Sequence, residues 1–277
     1  MAIDEFDLVR GEVDPLRRAR RATDLVALYQ QRSVELARLR RTAIEEAVRE
    51  RGITYTVAAQ AAGISKSRVS QQRKGGPPTA RVLFGVGPVT VAVPTRAMPD
   101  RFLPVISAED SIAAEQMSDL LRSYGFIVNQ FHIPTDGQWR PTGDVVAICG
   151  PKSSSVTADA LKADPMLDFT TDAAGRWVIT DRKAGAVWGS PMDNDPTERT
   201  DVAYIGRIRT DEANVFLIAG VHAIGSVGAI HHLSTPGTAE SLYAAVGEAP
   251  FSAVVRSTFD GATITDTDYA VPPRVHS

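Results

Sequence analysis

The sequence predicts an α + α/β protein. Residues 1–81 are expected to form a long helix and a helix-turn-helix, and residues 82–277 a three-layer, Rossmann-like α/β domain with an antiparallel insertion. Residues 16–51 contain neither Gly nor Pro and repeat apolar side chains at helical spacing. Runs such as 145–149 (VVAIC) and 215–219 (VFLIA) are apolar throughout, which is typical of central parallel strands covered on both faces. Their alternation with helical segments favours an α/β layout.

Composition and charge limit the class of protein. No apolar run approaches the ~20 residues that cross a bilayer, and no signal-peptide h-region stands at the N-terminus, so we expect a cytoplasmic protein with no membrane partner. Cys149 is the only cysteine, which excludes an intrachain disulfide and a cysteine-built metal site. We predict no cofactor and no metal.

The net charge differs between the two predicted domains. Residues 1–81 carry 16 basic and 10 acidic side chains, net +6, and residues 82–277 carry 14 and 23, net −9. This asymmetry fits a DNA-binding N-terminal domain attached to a domain that does not touch DNA. Compositional drift along the chain is the alternative explanation.

The long helix is predicted to begin at Asp14–Pro15, because Asp is a good N-cap and Pro suits the first helical position. A continuous helix over 16–51 would be roughly 54 Å long at 1.5 Å per residue, and a break near 31–33 is the alternative. Its apolar stripe is too long for the short helices that follow to cover. We therefore predict a homodimer, with packing of the stripe on the chain's own second domain as the alternative. Residues 1–13 are expected to form a loose or edge-packed tail.

Residues 54–75 predict two short helices around a tight turn. Gly63 supplies the backbone freedom that a sharp turn needs, and Ser65 is a good N-cap for the second helix. Val69 is expected to point inward, and the apolar side of the first helix is assigned to Val57, Ala58 and Ala62. The residues left facing outward are of the types that contact phosphates and base edges in the major groove. They are Ser65, Lys66, Ser67, Arg68, Ser70, Gln71, Arg73 and Lys74.

This segment resembles the helix-turn-helix of Cro-type repressors and of the promoter-reading end of sigma factors. The matching residues are Ala58, Gly63, Ile64, Ser65, Val69 and Ser70. The resemblance implies binding to double-stranded DNA, and a plain helical hairpin is the alternative. From residue 65 to residue 81 there are five basic side chains and no acidic one, as expected of a surface that meets phosphates.

The second domain is expected to follow the linker 75–78 (GGPP). Its predicted strands are 89–93, 126–131, 145–149, 177–180, 202–207, 215–219 and 252–259, and its predicted helices are 108–124, 154–163, 226–233 and 239–248. The segment 169–209 has few helix signals, which indicates an antiparallel insertion or an extension of the sheet.

Two loops are predicted to follow neighbouring strands, at the edge where ligands bind in open α/β sheets. Residues 149–155 offer a glycine, serine hydroxyls, helix-start amides and a lysine, a combination that suits an anion such as phosphate. Residues 219–228 form a second glycine-rich turn, in which Ser226 is expected to cap the next helix. Neither loop has a Walker A or GxGxxG pattern, and both could be plain strand-to-helix turns. The predicted ligand-binding residues are Gly150, Lys152, Ser153, Ser154, Gly220, His222, Gly225 and Ser226.

Other ionisable residues give weaker signals. Asp193 and Asp201 lie near turns of the insertion, where solvated side chains are the expectation, although some could edge the pocket. The pair His231–His232 is expected on a helix surface rather than in a metal site. No catalytic residue is predicted.

The order of segments resembles that of uncharacterised bacterial regulators of a kind common in actinomycetes. The resemblance lies in the long helix, the helix-turn-helix, a CGP loop (149–151) and an AGxHxxG loop (219–225), and it implies an architecture rather than a ligand. The leading hypothesis is a dimeric, ligand-responsive transcriptional regulator whose second domain binds a nucleotide-like or other anionic molecule. One alternative is a Rossmann-like hydrolase or nucleosidase with His222 as general acid or base. The other is an architectural DNA-binding protein.

Overall fold

The apolar runs of the second half form a seven-stranded sheet in the computed structural model, which describes residues 5–137 and 139–276 except for the side chains of residues 72–74. The strands are β1 (Val89–Pro94), β2 (Val128–Ile133), β3 (Gly143–Ile148), β4 (Leu167–Thr171), β5 (Trp177–Asp181), β6 (Val187–Gly189), β7 (Thr200–Arg209), β8 (Ala213–Gly220), β9 (Phe251–Asp260) and β10 (Thr263–Val275). The order in the large sheet is β10-β9-β7-β8-β3-β1-β2, and β4, β5 and β6 form a separate small sheet.

The large sheet is mixed. Strands β2, β1, β3 and β8 pair in parallel, as the apolar runs predict. Strands β7, β9 and β10 pair antiparallel with their neighbours. Turns of only a few residues, 210–212 and 261–262, account for two of these pairings, β7 with β8 and β9 with β10. Parallel neighbours would need a long crossover instead. Five of the seven strands consequently point in one direction.

The segment 169–209 contributes to both sheets. Strands β4, β5 and β6 pair antiparallel, so the predicted antiparallel insertion is confirmed, whereas β7 belongs to the large sheet. Three strands were not predicted: β4, β6 and β10. Strand β10 is an edge strand with two prolines and alternating polar residues, a pattern that edge positions tolerate.

The helices are α1 (Glu5–Arg10), α2 (Pro15–Arg51), α3 (Tyr55–Ala61), α4 (Lys66–Gly75), α5 (Ala108–Ser123), α6 (Ser155–Leu161), α7 (Ala223–Ser234) and α8 (Thr238–Val246). Helix α2 is continuous, so the alternative of a break near 31–33 is wrong. The Asp14 carboxylate caps it by accepting the amides of Leu16 and Arg17, each at 2.9 Å. Helix α1 lies along α2, with the rings of Phe6 and Tyr29 stacked at 5.8 Å.

The core fills both faces of the large sheet. Alternate residues of β3 point to opposite sides: Val146 and Ile148 pack against α5, α7 and α8, and Val145 and Ala147 pack against α6 and the small sheet. The large sheet therefore has helices α5, α7 and α8 on one face and α6 with the small antiparallel sheet on the other. Ala80 and Arg81, which the sequence assigned to the N-terminal domain, are fully buried here, and we call residues 79–276 the body.

The second core is much smaller. It joins the C-terminal part of α2 to α3 and α4 through four buried apolar residues, Ile44, Ala58, Ala59 and Val69, and we call residues 44–75 the head. Gly63 has φ +67° at the turn, and the Ser65 hydroxyl accepts the Arg68 amide at 3.2 Å, as predicted. The inward assignment of Val57 and Ala62 is wrong, because both are exposed.

Polar side chains join α2 to the body. The buried Arg81 guanidinium donates to Gln31 Oε1 of α2 at 2.7 Å and to the Val86 carbonyl at 2.6 Å. It also lies over the Phe126 ring, 3.5 Å from its centroid. Farther along α2, Arg38 is buried and pairs with Glu35 at 2.7 Å. The body therefore contacts a polar side of α2.

Part of the apolar stripe of α2 is exposed to solvent. Leu36 and Leu39 are 65% and 45% exposed. At these two positions the stripe does not pack on the chain's own second domain, so that alternative is wrong for them. At 100° per residue, Leu36 lies about 160° around the helix from the body-facing Arg38.

Candidate functional site

The two predicted loops meet at one edge of the large sheet. Strands β3 and β8 are parallel neighbours, with Ile148 paired to Ile218, so the loops that follow them leave the sheet side by side. They come so close that a Cβ on Gly150 would lie 3.3 Å from the Gly220 carbonyl oxygen. Between them is a cavity of about 400 Å³.

Six of the eight predicted ligand-binding residues line this cavity, namely Gly150, Lys152, Ser153, Gly220, His222 and Ser226. The other two do not. Ser154 is buried, and its hydroxyl caps α6 by accepting the Thr157 amide at 3.2 Å. A Cβ on Gly225 would lie 2.5 Å from Asp201 Oδ2, so this glycine lets α7 pack closely on β7.

Ser226 also differs from its predicted role. Helix α7 begins at Ala223, with His222 in the N-cap position, so Ser226 lies in the second turn of the helix and does not cap it. Its hydroxyl instead accepts the Gly220 amide at 2.9 Å. This bond closes the 220–226 turn under the cavity.

The first loop begins with an unusual backbone. Cys149 has φ +102°, and it is the one non-glycine residue with positive φ in the described part of the chain. Its carbonyl accepts the Thr157 hydroxyl at 2.9 Å. Such conformations are costly and concentrate where a loop is held for a ligand. Burial raises the pKa of the Cys149 thiol, so the thiol is protonated at neutral pH and is a poor nucleophile.

Arg96 adds a cation to the rim, which sequence reasoning missed. It follows β1, and its guanidinium is fixed by the fully buried Asp110 of α5, 2.8 Å away. The same nitrogen lies 3.5 Å from the Cys149 sulfur, which places it over the first loop. The only signal in the sequence was a basic residue soon after a buried strand.

Two aromatic residues of the small sheet form another wall. Phe169 of β4 and Trp177 of β5 both line the cavity, with ring centroids 6.3 Å apart and planes at 55°. The sequence placed both in the insertion but did not indicate that this sheet folds over the ligand-binding edge.

Two aspartates hold His222. Its ring Nε2 lies 2.8 Å from Asp193 Oδ1, and its backbone amide donates to Asp201 Oδ2 at 3.1 Å. The expectation of a solvated side chain is wrong for Asp201, which is fully buried beneath the start of α7. Burial raises the pKa of Asp201 to about 6. The Cys149 thiol is protonated and the Ser226 hydroxyl accepts a backbone amide, so neither of these two groups is an activated nucleophile for His222.

The outward face of α4 is as predicted for every residue whose side chain is described. Ser65, Lys66, Ser67, Arg68, Ser70 and Gln71 are exposed, while the side chains of Arg73 and Lys74 lie outside the described residues. Within the described part of the chain, Lys66 and Arg68 form no ion pair with a carboxylate.

A scan of the sequence against models of protein families finds no match, and a search of curated proteins finds no significant match. Across residues 5–137 and 139–276, no helix has both the length and the apolarity needed to cross a membrane. The same residues contain no group of three or more His, Cys, Asp or Glu side chains placed to hold a metal ion.

Proposed function

We propose that this chain is a dimeric, ligand-responsive transcriptional regulator, with α3 and α4 as a helix-turn-helix and a Rossmann-like body that senses a nucleotide-like or other anionic molecule. The observation that carries the proposal is the division of α4 into two sides. Val69 is buried against α2 and α3, while Lys66, Arg68 and their polar neighbours face outward, and neither basic residue is paired with a carboxylate among the described residues. Arg and Gln side chains in this arrangement suit guanine and adenine edges, and Lys suits phosphate.

Selection from a pool of genomic DNA fragments at two salt concentrations tests the proposal. We expect one palindromic fragment to be retained at moderate salt, because base contacts survive when phosphate contacts are screened. Uniform binding that disappears with salt would contradict sequence-specific regulation.

The variant Arg68→Ala tests the assigned surface on the selected duplex. Loss of a base contact costs ~1–3 kcal/mol, so the dissociation constant should rise roughly 5- to 150-fold. Arg122→Ala is the matched control, since it removes an exposed arginine from α5 of the body, and its affinity should equal that of the wild type. Equal losses in both variants would mean that only net charge matters.

The exposed stripe of α2 supports the dimer. Leu36 and Leu39 lie one helical turn apart, on the part of the helix that the body leaves open. The head core of four residues cannot cover them, whereas the same stripe of a second copy can, in the manner of a coiled-coil seam. Two heads at a fixed separation would match two half-sites about one helical turn of DNA apart.

The double variant Leu36→Lys/Leu39→Lys should be monomeric by light scattering and should bind the palindrome more weakly. Val187→Lys is the control for a lysine at an exposed apolar position, because Val187 of β6 is exposed to a degree between Leu36 and Leu39. A dimer that persists in the double variant would require a different interface.

A hydrolase or nucleosidase is the second candidate, favoured by the 2.8 Å contact between His222 and Asp193 at the cavity. A general acid or base needs such an orienting partner. Incubation of the protein with nucleotides, followed by chromatography, distinguishes the candidates. The enzyme would be favoured if the wild type turns over a nucleotide and His222→Asn still binds that nucleotide but no longer turns it over.

A further inference from the structure

We infer that the cavity takes a mononucleotide, with its phosphate at the end that carries Arg96 and Lys152 and its base against Trp177 and Phe169. The inference deepens the ligand part of the proposed function and rests on the cavity being a ligand site. It does not depend on whether the head binds DNA.

The charge of the lining selects an anion. Arg96 and Lys152 both line the cavity, and no carboxylate is among its described lining residues. Asp110, which fixes Arg96, is fully buried, so the guanidinium is held in place before a ligand arrives. Fixed guanidinium groups bind phosphate oxygens in two-pronged fashion, and lysine adds a mobile point charge.

The glycines allow the two loops to lie close together at the cavity. Gly150 and Gly220 lie opposite each other, and a Cβ on Gly150 would already crowd the Gly220 carbonyl. The Ser153 side chain also lines this end of the cavity and offers a hydroxyl. A phosphate would thus meet two cations and a hydroxyl donor.

The aromatic wall selects a ring. Trp177 and Phe169 are tilted by 55° to each other, so a base that stacks on one ring meets the other at an angle, an arrangement that aromatic groups favour. Stacking does not depend on which base is present, because every base has a π face. Inorganic phosphate or a sugar phosphate would leave this wall unused.

The volume selects one nucleotide rather than two. Cavities for small ligands span roughly 300–1,000 Å³, and this one, at about 400 Å³, is near the lower end. A dinucleotide would have to extend into solvent.

Calorimetry on the full chain tests the inference with matched fragments: AMP, GMP and UMP, adenosine for the ring alone, ribose 5-phosphate for the phosphate alone, inorganic phosphate, and NAD as the larger ligand. We expect at least one mononucleotide to bind at least tenfold more tightly than either fragment and more tightly than NAD. Equal affinity for inorganic phosphate and the mononucleotides, or no binding of any mononucleotide, would overturn the inference.

Two variants separate the two ends. Trp177→Leu should weaken binding of the mononucleotide about tenfold or more and leave the affinity for ribose 5-phosphate unchanged. Lys152→Gln should weaken binding of both the mononucleotide and ribose 5-phosphate and leave the affinity for adenosine unchanged. Trp188→Leu on β6 and Lys162→Gln, directly after α6, are the controls, since neither residue lines the cavity. If Trp177→Leu weakens ribose 5-phosphate as much as the mononucleotide, the assigned orientation is wrong.

The same samples are assayed for DNA binding without ligand. Trp177→Leu should bind the selected duplex like the wild type. If the wild-type chain binds no DNA, the proposed regulator function is contradicted and the mononucleotide site is not. If no mononucleotide binds, the mononucleotide site is contradicted and DNA binding by the head is not.

Discussion

The head and the body differ in how much of their structure is buried and where their functional side chains lie. The head buries four apolar residues and presents its polar residues along one exposed helix. The body buries apolar residues on both faces of a seven-stranded sheet, and its candidate site is assembled from β1, β3, β8 and the small sheet. A surface site needs only a helix held in one orientation, whereas a cavity needs several distant segments held together.

The body should show the largest loss of stability on truncation. Phe216 is fully buried between Phe84 and Phe251, with centroid distances of 4.9 and 6.0 Å. Phe216→Ala should lower the free energy of unfolding of the body by about 3–5 kcal/mol, measured by denaturant titration. Phe102→Ala, at a fully exposed phenylalanine, should change it by less than about 0.5 kcal/mol. Similar losses in both variants would contradict the two-sided core.

The body should also carry a pH dependence that the head lacks. Because burial raises the pKa of Asp201 to about 6, the folded state takes up a proton that the unfolded state, with an ordinary pKa of 3.8, releases. This contribution to stability is present at low pH and is lost as the pH rises through 6. When the pH is lowered from 7 to 4.5, the free energy of unfolding of the wild type should rise by about 2 kcal/mol relative to that of Asp201→Asn. Denaturant titration at each pH measures this difference.

The control for that experiment is Asp159→Asn, which removes an exposed carboxyl from α6. It measures what the loss of a solvent-exposed carboxyl does to the free energy of unfolding at each pH. A constant difference from the wild type for Asp201→Asn would mean that the Asp201 carboxyl is charged throughout.

The head should show the smallest and most local effect. Val69→Ala removes two buried carbons. At 0.8 kcal/mol per methylene, this should lower the free energy of unfolding of the head by about 1.6 kcal/mol. Amides of α3 and α4 should then exchange with solvent roughly tenfold faster, while those of β8 stay unchanged. Val57→Ala, at the half-exposed valine of α3, should have little effect. Equal acceleration in β8 would show that head and body unfold as one unit.

The same contrast explains what the sequence could predict. Gly63, Ser65 and Val69 act within one turn and its two helices, so local spacing identified them. The meeting of the two loops was also predictable, because parallel neighbouring strands end at the same edge. Their exact roles were not: Ser154 and Ser226 look like ligand donors in sequence, yet their hydroxyls accept backbone amides of the fold.

The missed residues depend on contacts between distant segments. Arg96 matters because Asp110, on the next helix, fixes it. Trp177 matters because the small sheet folds over the edge of the large one. Asp201 was expected in solvent, since a turn aspartate usually is, but α7 covers it through close packing at Gly225. No local pattern encodes these three placements.

The bond between Arg81 and Gln31 has a mechanical consequence, because it holds α2 near its midpoint. From Gln31 to Arg51 the helix extends for roughly 30 Å at 1.5 Å per residue. Farther along, Arg38 of α2 also lies 3.6 Å from Glu248 of the body. Over a length of 30 Å, a tilt of about 5° would displace the far end by nearly 3 Å, so these two contacts together fix the direction in which the C-terminal part of α2 leaves the body.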